Sequence, residues 1–208
     1  MKPYGGMDGS NTALVVIDMV NSCCHENCEE PQRGITYRKI RTMTPALVDA
    51  IQQFKARVGG KVIYTNLTPW TKENLPDNLN DLYEDPNAIF YGDGSDFENA
   101  FYGVRPTMDD VVVTKNTYDA FSSPEFIAAL AKHGIRYLVM AGVFTDGCVL
   151  ATIASGFSRG YRFIVLKDLI ETTDLPTRQA LSELLKGYTF PVLYGRTMEV
   201  KEFLQHWN

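Results

Sequence analysis

Residues 137–160, YLVMAGVFTDGCVLATIASGFSRG, constrain the fold more than any other stretch of the chain. The apolar opening, 137–143, has the length of a buried strand. A turn follows through Phe144, Thr145, Asp146 and Gly147. From Cys148 the spacing predicts a helix, with Val149, Ile153 and Phe157 four residues apart and Gly160 as the stop. One cysteine is therefore expected where a strand hands over to the first turn of a helix. Unpaired N–H groups and the positive end of the helix dipole gather there. Both would favour the thiolate, which is the nucleophilic form. The same N–H groups could hold an oxyanion. The competing reading is a buried cysteine that only fills space.

The same alternation runs along the rest of the chain. Residues 12–20 (TALVVIDMV) read as a central parallel strand, apolar on both faces and ending at Asp18. Residues 21–37 are polar and irregular. A helix is predicted over 45–58, with Pro45 in its first turn and Leu47, Ile51, Phe54 and Val58 on one face. Strands are predicted over 61–68 and 110–115, the latter ending in Lys115. A helix over 123–133, capped by Ser122 or Ser123, leads to a strand over 135–143. Beyond the cysteine helix come a strand over 162–166 and a helix over 176–186 with Leu181, Leu184 and Leu185 inward. A short strand over 191–194 and a helix over 198–207 close the chain. Such alternation implies a parallel sheet covered on both faces, a three-layer α/β/α Rossmann-like arrangement with right-handed crossovers. The 208 residues suit one domain, 1–208, with one large core.

Residues 69–110 lack periodicity, yet hold Trp70, Tyr83, Phe90, Tyr91, Phe97, Phe101 and Tyr102. A segment of that length and aromatic content is expected to be a lid or an interface rather than disorder.

Net charge is −5 and no Lys/Arg run occurs, which argues against nucleic acid or an anionic membrane as partner. No apolar run approaches the ~18 residues of a membrane span, and MKPYGGMDGS carries no apolar core of signal-peptide length. The expectation is a soluble cytoplasmic protein acting on a small molecule. The cysteines, Cys23, Cys24, Cys28 and Cys148, do not form a disulfide framework. The cluster Cys23-Cys24-His25-Glu26-Asn27-Cys28 leaves two readings open: a zinc site using two thiolates and His25, or a loop at the mouth of an active site.

In parallel sheets the site lies beyond the carboxyl ends of the strands. Asp18, Lys115 and Cys148 each follow an apolar run and stand at such ends. A carboxylate, an ammonium and a thiol meeting there would shift one another's pKa values. Asp18 can take the thiol proton and return it to a leaving amine. Lys115 can hold Asp18 ionised and offset charge on sulfur. Cys148 can attack a carbonyl and form a thioester that water releases. The alternative is a buried Asp18–Lys115 ion pair with a purely structural role. His133, at a helix end, reads as structural, and His206, in the terminal helix, as a surface residue.

The segments ALVVIDMVN, VVVTKNTYDAF and AGVFTDGCV, in this order and spacing, resemble the isochorismatase-like cysteine hydrolase superfamily, and the similarity spans 11–204. The resemblance implies a six-stranded parallel sheet in order 3-2-1-4-5-6 and an Asp18–Lys115–Cys148 triad. It also implies a cis peptide between Val143 and Phe144, aiming the backbone N–H of Phe144, with that of Cys148, at the oxyanion. Nicotinamidase-like members carry a metal site of Asp and His after the second strand; residues 66–110 contain no His, so no metal or other cofactor is expected. The turn FTDGC has the spacing of the amide-cleaving members, similar to N-carbamoylsarcosine amidase, ureidoacrylate amidohydrolase and biuret hydrolase. The resemblance then points to Asn21 as a substrate contact, to Tyr118 and Phe121 as pocket lining unless they pack in the core, and to Trp70 beside them. It implies a homodimer or homotetramer. Hydrolysis of a C–O bond, as in true isochorismatases, and a catalytically idle scaffold are the competing functions.

Overall fold

The structure is a computed structural model that describes residues 3–83 and 91–207. Strand β1 (Thr12–Ile17) runs up the centre of the sheet. Helix α1 (Arg38–Gln53) follows, then β2 (Lys61–Leu67) and α2 (Asp77–Tyr83). Next come β3 (Val111–Lys115), α3 (Pro124–Lys132), β4 (Tyr137–Val143) and α4 (Leu150–Ser158). The chain ends with β5 (Arg162–Glu171), α5 (Pro176–Leu184), β6 (Gly195–Met198) and α6 (Val200–Gln205). All six strands are parallel, in the order β3-β2-β1-β4-β5-β6, as expected. Strand order reverses at β1, so the crevice between the ends of β1, β2 and β4 is where a site belongs.

Both faces of the sheet are buried, which is why β1 and β4 lack polar alternation. Leu14 and Val16 of β1 join Leu47 and Ile51 of α1 and Phe203 and Leu204 of α6 in one core. Their neighbours Ala13, Val15 and Ile17 face the opposite way, into a core with Phe126 and Leu130 of α3 and Ile153 of α4. Two helical layers thus enclose the sheet. Among the described residues, no helix is long and apolar enough to cross a membrane.

Several boundaries differ from the sequence expectation, each for a physical reason. Helix α1 starts at Arg38, and Pro45 lies inside it. Its buried face reaches back through Ile40 and Met43, and the N–H groups of Arg38 and Lys39 donate to the Asp174 carboxylate at 2.8 and 3.1 Å. That cap comes from more than a hundred residues away. The strand expected over 191–194 is absent. The chain instead continues as wide helical turns, Leu185–Tyr194, and β6 begins at Gly195. Pro191 could not have donated to a ladder. Leu185 is buried, but Leu181 and Leu184 are exposed rather than inward. Helix α4 is preceded by a wide turn, Thr145–Val149, in which Gly147 leaves helical geometry. Phe157 sits on its exposed side, against Tyr194. Within 69–110 lie α2 and a single turn, Asp96–Asn99. The segment docks on the chain after β1 through an antiparallel bridge between Val20 and Phe101. Phe90 lies outside the described residues.

Candidate active site

Asp18 is the first residue beyond β1. Its φ of 47° is left-handed, uncommon for any residue but glycine, and it turns the carboxylate out of the strand line. Lys115 ends β3. Strand β2 lies between β1 and β3, so the two residues are separated by about 10 Å of sheet, two strand spacings. The long lysine stem crosses that gap. Its Nζ lies 2.7 Å from Asp18 Oδ2. Thr65 of β2 fills the space between. Its hydroxyl accepts from the Asp18 N–H at 3.0 Å and donates to Asp18 Oδ1 at 2.6 Å.

The third group arrives from β4. Lys115 Nζ also lies 3.5 Å from Cys148 Sγ and donates to the Thr117 carbonyl at 2.9 Å. Asp18 and Lys115 are 1% and 2% exposed, whereas Cys148 keeps 7%. Asp18 Oδ2 takes no well-angled hydrogen bond among the described residues, although the ammonium touches it. It is therefore the oxygen open to a thiol proton.

Burial works against the Lys115 charge. The charges of Asp18 and the Cys148 sulfur beside it prevail and hold its pKa above the ordinary lysine value. Cys148 goes the other way from the expectation. Burial first, then the Asp18 charge, push its thiol well above the usual range, and Lys115 only partly opposes them. These influences favour the neutral thiol beside the ion pair over a standing thiolate. The helix start does not overcome desolvation.

The peptide between Val143 and Phe144 is cis. The Phe144 carbonyl accepts from the N–H groups of Gly147 and Val149, which folds the turn tightly around Cys148. The Phe144 ring stacks on Tyr37 at 6.0 Å, and the Arg178 guanidinium lies 4.9 Å from its centre.

Other residues singled out in the sequence fare differently. Trp70 and Tyr118 meet, with ring centres 6.2 Å apart. Trp70 Nε1 donates to Tyr83 Oη at 2.8 Å, and Tyr83 Oη lies 3.4 Å from Tyr118 Oη. Burial first, then the hydrogen bond with Tyr118, raise the Tyr83 pKa. Of this aromatic group, Tyr118 packs against the core that holds Cys148. Phe121 does not join it: the ring is 2% exposed and packs in the core against Phe126 and Tyr161. Asn21 spends its amide N–H on the Phe97 carbonyl at 2.9 Å, fixing the 69–110 segment. His25 accepts from the Asn27 N–H at 3.0 Å, its ring edge-on to Phe97 and Tyr102. Cys23 and Cys24 are buried; burial, then the Asp18 charge, push the Cys23 thiol up to about 12. Among the described residues, no group of three or more His, Cys, Asp or Glu is placed to hold a metal ion. Thr65 and Arg178 were not anticipated, and Tyr83 was singled out only as one of the aromatics of 69–110. Thr65 left a faint trace, as a fully buried polar residue within β2.

The Isochorismatase domain model matches residues 12–194. The chain belongs to the isochorismatase-like cysteine hydrolase superfamily. It is 26% identical to the ureidoacrylate amidohydrolase RutB of Azorhizobium caulinodans, covering 92% of this chain and 88% of that one. The RutB of Stutzerimonas stutzeri is 24% identical, covering 96% and 84%. A cysteine hydrolase from Pseudomonas syringae pv. phaseolicola shares the fold with a TM-score of 0.80 at 20% identity, covering 99% and 96%. The N-carbamoylsarcosine amidase from Thermoplasma acidophilum does so at 0.63 and 23% identity, covering 93% and 97%. This isochorismatase-family hydrolase thus carries its polar cluster at the switch point of the family's sheet.

Proposed function

We propose that this hydrolase cleaves the C–N bond of a small amide or carbamoyl compound through a thioester on Cys148. One observation carries the reading: a single ammonium, Lys115, touches both a buried carboxylate and a buried thiol. The amidohydrolase and amidase names of relatives support it. Because the resting sulfur is a thiol, activation has to be a proton transfer to Asp18, made as the substrate arrives. Sulfur then attacks the carbonyl carbon, and the oxyanion is received by the backbone N–H groups of Phe144 and Cys148. Collapse expels the amine, which takes the proton from Asp18. Water, deprotonated by Asp18, attacks the thioester, and the carboxylic acid leaves as the proton returns to sulfur. The sum is amide plus water to acid plus amine. Lys115 keeps net charge near zero while the proton moves between Asp18 and sulfur. Trp70, Tyr83 and Tyr118 wall the substrate side, and the enzyme works in the cytoplasm as a homodimer or homotetramer, which light scattering would read.

The test is amine or ammonia release from a panel of small amides and carbamoyl compounds, with a trapped acyl-enzyme sought by mass spectrometry. Cys148→Ala is expected to abolish turnover, and wild type to show the acyl adduct on Cys148. Turnover surviving in Cys148→Ala would move the reading to C–O hydrolysis. No turnover of any amide or ether would leave an idle scaffold.

A further inference from the structure

The turn that carries Cys148 is held from outside by a group the reaction scheme does not use. Asp146 lies two residues before the sulfur, and its side chain is 7% exposed. A carboxylate so buried requires compensation. Arg178 of α5 supplies it with a two-pronged grip, Nε to Oδ2 and Nη2 to Oδ1, both at 2.7 Å. Thr172, just past β5, donates its hydroxyl to the same carboxylate at 2.6 Å. Two elements, α5 and the end of β5, therefore converge on one carboxylate within the turn. The guanidinium also covers the outer face of Phe144, whose other contact is Tyr37. Both residues whose N–H groups would face the oxyanion, Phe144 and Cys148, thus sit within two residues of the gripped carboxylate or under the arginine itself.

We propose that Arg178 is a positioning residue: through Asp146 and Phe144 it holds the turn so that the sulfur and the oxyanion-binding N–H groups share one geometry. This rests on the thioester hydrolase reading. A planar fork can fix a carboxylate in both position and rotation, whereas an ammonium fixes only charge. Displacing reacting groups by about 1 Å can cost on the order of a hundredfold in rate. A grip that only stabilised the fold would not separate these two properties.

The experiment uses full-length Arg178→Gln and Arg178→Lys, with the concentration of active sites titrated by Cys148 alkylation. Turnover per active site is expected to fall about a hundredfold in Arg178→Gln and about tenfold in Arg178→Lys, with KM changed less than about threefold. Loosening the turn admits water to the thiol. Alkylation of Cys148 by iodoacetamide at pH 8 should therefore become about tenfold faster in Arg178→Gln while turnover slows. A more reactive sulfur with less turnover is what loss of positioning produces. A purely structural role predicts that turnover per active site and alkylation rate both stay within about threefold of wild type, and that result would overturn the proposal. If Arg178→Gln does not fold, Arg178→Lys decides: it keeps the ion pair, and full turnover per site in it also overturns the proposal. If wild type hydrolyses no amide, the hydrolase reading fails on its own, and the Cys148 alkylation rates alone decide whether Arg178 positions the turn.

Discussion

At the scale of single residues, one lysine, Lys115, touches both a buried carboxylate and a buried thiol. Asp18, Lys115 and Cys148 stood out because Asp18 and Lys115 are charged groups at the ends of mainly apolar strands and Cys148 follows the turn after a third. Their partners did not. Thr65 matters because β2 lies between β1 and β3, a fact of strand order rather than of local sequence. Its replacement by valine keeps the volume but removes the hydroxyl that donates to Asp18 Oδ1 and accepts from the Asp18 N–H. Thr65→Val should cost about 1–3 kcal/mol, read from urea midpoints, because two buried polar atoms lose their partner. It should lower turnover as well. The protonation state of the sulfur gives a second test. Burial and the Asp18 charge hold the Cys148 thiol high, so the neutral form should persist as pH rises past the usual thiol range. Site-resolved alkylation of the free enzyme should therefore lag behind that of a small free thiol at neutral pH and catch up only in alkali. Faster labelling than the free thiol near pH 7 would mean a standing thiolate and would reverse the proposed first proton transfer.

The elements explain why these groups meet where they do. β4 must pass close beside β1 to bring its following turn to Asp18. Gly142 makes that approach possible: its φ is 107°, and a β-carbon there would run into the Ile17 carbonyl oxygen, one residue before Asp18. The β4–β5 register also shifts between Met140 and Gly142. The glycine was visible in AGVFTDGC, but its reason was not, because the obstacle belongs to another strand. Gly142→Ala should destabilise by roughly 3 kcal/mol or more, combining backbone strain with overpacking, and should displace the turn that carries Cys148. A thermal midpoint equal to wild type would show that β1 and β4 can part there freely. Helix α1 teaches the same lesson. Its apolar spacing was legible, but its start was not, because the Asp174 carboxylate that receives the first N–H groups arrives from just before α5. Asp174→Ala should cost about 1–2 kcal/mol, as loss of an N-terminal cap does, while leaving turnover per active site intact, since it touches none of the reacting groups.

Across the whole molecule, the parts that local pattern cannot tie together are tied by depressed carboxylates. Asp110 joins Lys55, after α1, to the start of β3. Asp146 joins the turn that carries Cys148 to α5 and to the end of β5. Asp174 joins the chain before α5 to the start of α1. In all three, burial alone would raise the pKa, but the hydrogen bonds and cations that each receives outweigh it and leave the value below the ordinary carboxylate range. The folded state therefore binds fewer protons than the unfolded chain as pH falls through that range. Stability contributed by these groups is complete above the unfolded carboxylate value of about 4 and drains away below it. Lys115 has the opposite sign: its folded pKa is raised, so its contribution holds below the ordinary lysine value and is lost only in strong alkali. Urea midpoints should consequently be flat through neutrality and fall steeply below about pH 4. Asp146→Asn removes one titrating group from that fall, so its midpoint should start lower at neutral pH and decline less steeply in acid, the two curves converging near about pH 2. Parallel curves for the two proteins would mean that Asp146 keeps an unshifted pKa in the folded chain, and that the grip of Arg178 does not act on an ionised carboxylate.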